Sequence, residues 1–167
     1  MRLIAVLSVA VFSCVGALAA PRVKVDGKVL RTTPAPVIRG GKLYVPVDAF
    51  RRIGFYVDWA AGAKRGEICL GDSDDFVSIK PGRIWIEPEG PPPLPAPTVL
   101  PGKPFMLKGV LMVPLRTVVD HYHGILSVEW DARHRTAQVK RDPRWLNRRL
   151  EMDNELRKDT GHYAKPI

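Results

Sequence analysis

His121 and His123, in the run Asp120-His121-Tyr122-His123-Gly124, have the spacing of a two-point metal chelate. On a strand both rings would face one side and could hold Zn or Cu. On a helix, side chains two positions apart diverge by about 200°, and one ion cannot take both. The local pattern places them at the end of a helix, where a histidine interacts favourably with the negative end of the dipole. A structural or surface role is therefore expected. Metal binding at His121 and His123, joined by His134 if the fold brings it near, is the rival.

Trp59 and Trp130 each follow an acid, Asp58 and Glu129. Exposed, such rings could stack on sugars; buried, they anchor a core. Their recurrence at matching places favours packing. Asp72, Asp74 and Asp75 suggest calcium, but their spacing lacks the further oxygen ligands of a calcium loop, and a solvated turn is expected. Cys69, between Ile68 and Leu70, reads as a buried, inert strand residue with no histidine beside it in sequence.

From Arg133 to Arg149 the bases Arg133, Arg135, Lys140, Arg141, Arg144, Arg148 and Arg149 stand against the single acid Asp142. This run is the candidate surface for an anionic partner. No nucleophile–base pair, phosphate loop or paired-carboxylate arrangement is recognisable, so the expectation is a non-enzymatic chain without a cofactor.

Bulk properties set the setting for these residues. Residues 1–19 have Arg2, an apolar run and then Ala17-Leu18-Ala19, the pattern of a cleaved signal peptide. The alternative is a lipoprotein acylated at Cys14. Either way the expected location is secreted, periplasmic or envelope-bound, with no transmembrane span in the mature chain. The formal charge of +9 loses only Arg2 with the leader. Outside the cytoplasm such an excess points to an envelope polymer or another envelope protein, not to nucleic acid. After cleavage only Cys69 remains of the two cysteines, so no internal disulfide can form and the core must hold the fold by itself.

The elements that position these residues come twice. Pro36–Val47 aligns with Pro104–Leu115 without a gap, setting Gly41 on Gly109 and Val45-Pro46 on Val113-Pro114. Downstream, Gly54 corresponds to Gly124 and Trp59 to Trp130, and upstream the segment at Val23 pairs with that at Ile84. In each copy an alternating strand meets a proline, which has no N–H to give to a ladder. A short helix follows, with Val47, Phe50 and Ile53 on one face of the first and Leu115, Val118, Val119 and Tyr122 on one face of the second. Asp48 is the expected cap of the first helix, Gly54 and Gly124 the expected stops, and strands ending in the tryptophans come next. Such self-similarity implies one supersecondary unit used twice. Residues 20–83 make the first unit with a following hairpin on Pro81-Gly82, and residues 84–142 the second. A proline-rich insertion at about 88–104 reads as an extended polyproline-like arm, and residues 143–167 as a basic helix and tail.

These motifs resemble the copper amine oxidase N-terminal-like, or stalk, domain. The matching residues are Val25-Asp26-Gly27-Lys28, Val45-Pro46-Val47, Gly54 and Asp58-Trp59, then Val113-Pro114-Leu115-Arg116, Gly124 and Glu129-Trp130-Asp131-Ala132. The resemblance covers roughly Val23 to Asp142. It implies an α+β fold, antiparallel strands packed around a short helix, in two tandem copies. It also implies a non-catalytic appendage, since copper and quinone chemistry belongs to a separate large domain. The chain has Ala60 where an acid commonly follows the tryptophan.

The expectation is thus a secreted stalk or envelope-associated binding module that contacts an anionic polymer or a protein. The alternative is a Cu- or Zn-binding accessory protein using the His-x-His pair.

Overall fold

Alternation in the opening segment produces β1 (Arg22–Val25), with Val23 and Val25 buried, and Asp26-Gly27 turns it into β2 (Lys28–Val29). The computed structural model describes residues 20–70, 76–88 and 93–144. β3 (Val37–Arg39) and β4 (Lys42–Pro46) form a hairpin on Gly40-Gly41, both at positive φ as a two-residue mirror-image turn requires. Next come α1 (Ala49–Ile53), β5 (Phe55–Ala60), β6 (Arg65–Leu70), β7 (Val77–Lys80) and β8 (Arg83–Ile86). β9 (Thr98–Val99), β10 (Phe105–Leu107), β11 (Val110–Pro114), α2 (Leu115–His121), β12 (Leu126–Asp131) and β13 (Thr136–Arg141) complete the order. The described residues are mostly β-sheet with two short helices, an α+β architecture.

Among the described residues three sheets form, with strand orders β12-β13-β1-β2, β10-β11-β4-β3 and β5-β6-β7-β8-β9. In the second, two hairpins lie side by side and their inner strands pair antiparallel through Val45 and Val113. In the first, β1 runs parallel to β13, with Val23 against Ala137 and Val25 against Val139. One buried cluster joins them all: Phe50 and Ile53 of α1, Leu115, Val118 and Val119 of α2, and strand residues from Val23 to Val139. Phe50, Phe55 and Tyr122 meet edge to face in a chain, with centroids 5.5 and 5.4 Å apart.

The helix faces expected from the three-residue spacing are the buried ones. Gly54 also ends α1 as expected. Its φ of 117° is open to glycine, and its N–H reaches the Phe50 and Arg51 carbonyls.

Several expectations need correction. Asp48 does not cap α1, because its own backbone is helical; its carboxylate pairs instead with Arg51 at 3.3 Å. Pro46 does not end the pairing of β4, since the Val47 N–H still donates to the Leu111 carbonyl at 2.8 Å. α2 stops at His121 with Tyr122 as its cap, one half-turn ahead of Gly124. Part of the proline-rich segment is not a free arm: Thr98 and Val99 pair with Ile86 and Trp85, and the Leu100 N–H donates to the Ile84 carbonyl.

The segments expected to form two separate units interleave. β1 lies against the hairpin that carries Trp130, and β7 lies against the one that carries Trp59. Val23 and Ile84 are therefore not in equivalent places, because β7 separates β8 from β6. A boundary after Arg83 would cut β8 itself, which Lys80↔Arg83 pairing binds to β7. The leader with Cys14, the turn with Asp72, Asp74 and Asp75, and the tail from residue 145, including Arg148 and Arg149, lie outside the described residues.

Candidate functional site

Pro114 is the last residue of β11 and the entry to α2, so this helix starts at the end of an inner strand of the β10-β11-β4-β3 sheet. A strap, Leu100-Pro101, crosses beside it and is fastened at both ends. Leu100 is bonded to β8, and the Thr117 hydroxyl donates to the Pro101 carbonyl at 2.7 Å. The Arg116 guanidinium donates to the Val128 carbonyl at 3.0 Å and so holds β12 under the helix. Arg51 of α1 reaches the corresponding carbonyl of β5, that of Val57, at 2.8 Å.

Between strap, helix and β12 lies a groove of about 580 Å³. Its apolar surface includes Leu43, Pro101, Leu115, Val128 and Trp130, and Lys42, Asp120 and His121 bring polar groups to it. A cavity of this size, mostly apolar with few polar groups, is the usual form of a small-ligand site.

The two tryptophans have different surroundings. Trp59 pairs across the ladder with Gly66 and packs partly buried against the core. A Cβ on Gly66 would sit 3.0 Å from the Trp59 ring, so the glycine makes room for it. Trp130 pairs with Ala137 and is 40% exposed at the groove. The packing expected of both describes Trp59, whereas Trp130 has a ring surface open to a ligand.

The three histidines have different neighbours. His121 closes α2 and meets the Tyr122 ring edge to face at 4.7 Å. His123 lies past the helix, its Nδ1 3.3 Å from the Asp120 carbonyl. His134 is held at the β12–β13 turn, where Asp131 accepts its backbone N–H at 3.0 Å and approaches its Nδ1 at 2.6 Å. The backbone N–H bond from His134, then the contact with its ring, holds the Asp131 carboxyl below its usual value of 3.8. Among the described residues no group of three or more His, Cys, Asp or Glu side chains is arranged to hold a metal ion.

The expected anionic-partner run is divided by the strand it lies on. Lys140 pairs with Glu129 at 2.8 Å and Arg141 with Asp26, so each meets an acid. Arg133 and Arg135 both sit in the turn before β13, and Arg144 follows β13 with its N–H on Asp142. Cys69 is buried in β6 as expected. Sequence reasoning missed Lys42, Thr117 and Pro101 as groove residues. Pro101 and Thr117 come from the proline-rich insertion and the helix, and nothing local signals that they meet.

Comparison with models of known protein families, with curated proteins and with solved structures finds no match. Among the described residues no helix is long and apolar enough to cross a membrane.

Proposed function

We propose that this chain is a non-catalytic module of the cell envelope, exported by its residues 1–19, that holds one ring of an envelope polymer against Trp130. In this reading the segments around α1 and α2 are two copies of a stalk-like unit, and only the second keeps an open tryptophan. The observation that carries it is Trp130 itself, 40% exposed at the groove beside α2. The negative face of an indole suits the C–H face of a sugar ring. Lys42 and Asp120 stand where ring hydroxyls or acidic substituents would need partners. The excess of basic residues would draw an acidic polymer to the surface before the ring is seated.

The test is co-sedimentation of the purified protein with the producing organism's envelope fraction at about 0.15 M and about 1 M salt, where the screening length falls to about 3 Å. Binding that persists at high salt and disappears in Trp130→Ala is expected. Unchanged binding by Trp130→Ala would remove the groove from the mechanism.

A further inference from the structure

Lys80 and Arg83 flank the Pro81-Gly82 turn and face each other directly across the β7–β8 ladder. The β6–β7 register, with Gly66 opposite Ile79, brings Arg65 opposite Lys80. Three cations therefore stand in one row on one face of three adjacent strands, each exposed, at spacings of about one strand separation, roughly 5 Å. Like charges directly opposite one another in a sheet are destabilising, so the row needs an explanation.

Part of it is Trp85. Its ring is 6% exposed, and Arg65, Lys80 and Arg83 lie 5.9, 5.7 and 5.2 Å from its centroid. Cation–π attraction offsets some of the repulsion and fixes the three side chains above one platform. The only acid that contacts the row among the described residues is Glu87, which accepts the Trp85 N–H and lies 3.8 Å from Arg65. Glu67 lies two residues along β6 from Arg65, with Asp58 opposite it on β5, and neither forms an ion pair with the row. The remaining positive charge of the row is open to solvent.

We propose that Arg65, Lys80 and Arg83 form a binding row for a linear acidic polysaccharide, whose successive acidic groups meet successive strands. The proposal rests on the envelope reading above and adds a second contact surface, distinct from the Trp130 groove and from the basic run after Arg133. A single-stranded nucleic acid fits less well, because Trp85 is already covered by the three cations and offers no open face on which a base could stack.

Binding of the full chain to polygalacturonate, to uncharged dextran and to duplex DNA, measured from about 0.05 to 0.3 M salt, tests the row. The triple variant R65Q/K80Q/R83Q should bind polygalacturonate at least about tenfold more weakly, with a salt slope smaller by about 2. Glu87→Gln, which removes the counter-charge, should bind more tightly than wild type, and this arm holds even if the triple variant fails to fold. Polygalacturonate binding is read at Arg65, Lys80, Arg83 and Glu87, and envelope co-sedimentation at Trp130, so that failure of the groove and failure of the row are separate results. Wild-type affinity in the triple variant, a loss that instead follows R133Q/R144Q, or unchanged binding by Glu87→Gln would overturn the row. Tighter binding to duplex DNA with the same residue dependence would overturn the choice of partner.

Discussion

The Tyr122 hydroxyl, at the end of α2, donates a 3.1 Å hydrogen bond to the Ile68 carbonyl of β6, 54 residues earlier in the chain. Both ends of the bond are buried, and the Tyr122 ring packs edge to face on Phe55. One side chain thereby ties the second helix to the sheet that carries Trp59.

Tyr122→Phe keeps the ring contact and removes only the donor. With the Ile68 carbonyl in a dry site, the loss should be about 1–2 kcal/mol. Urea unfolding followed by tryptophan fluorescence measures it. A change below about 0.3 kcal/mol would mean that the bond does not join the halves.

Gly66→Ala should cost more than an ordinary surface substitution. The added methyl would run into the Asp58 carbonyl and approach the Trp59 Cα to 2.9 Å. Backbone atoms on a paired strand cannot step aside, so a loss of about 1–3 kcal/mol is expected. Ala137→Gly, opposite Trp130, is the contrasting substitution: it creates space instead of conflict, and a smaller effect is expected in the same unfolding assay.

Asp131 gives a pH signature. Its carboxyl titrates below 3.8 in the folded protein because the His134 N–H and ring favour its charged form. A depressed carboxylate contributes stability above its unfolded pKa and loses it as pH falls through the folded one. The stability difference between wild type and Asp131→Asn should therefore be present at pH 5–7 and close as the pH drops below about 3.8. A carboxyl NMR titration should place the Asp131 midpoint below that of an unstructured aspartate, and a midpoint above 3.8 would contradict the contact with His134.

The His-x-His pair should bind no metal as a unit. Titration with Cu or Zn, followed by the His121 and His123 ring resonances, is expected to give no saturable shift shared by both. A shared, saturable shift abolished by either His121→Ala or His123→Ala would restore the metal-binding alternative.

Local pattern carried a good deal of the fold. Three-residue spacing at Val47, Phe50 and Ile53 marked the buried face of α1, and turn chemistry at Pro81-Gly82 marked the β7–β8 hairpin. What local pattern cannot carry is which hairpin lies beside which. β1 and β13 meet through residues at opposite ends of the described chain, and no periodicity encodes that choice. The site was half legible for the same reason. Trp130 stood out by type, but its exposure depends on the strap at Pro101 and the start of α2. Arg65, Lys80 and Arg83 looked like scattered surface charges until strand register set them in a row.

The parallel pairing of β1 with β13 has a mechanical meaning. Tension applied through the chain before Arg22 and after Arg141 would pull these neighbours past each other lengthwise. The bonds across them, from Arg22 N–H to the Arg135 carbonyl at one end to Asp26 N–H on the Val139 carbonyl at the other, would then be loaded together and not opened one at a time. The Asp26–Arg141 ion pair, spanning 115 positions, sits at the end of the same clamp. A module tethered on one side and attached to a polymer on the other would resist stretching through this seam, and forced unfolding is governed by the rate at which such a seam gives way.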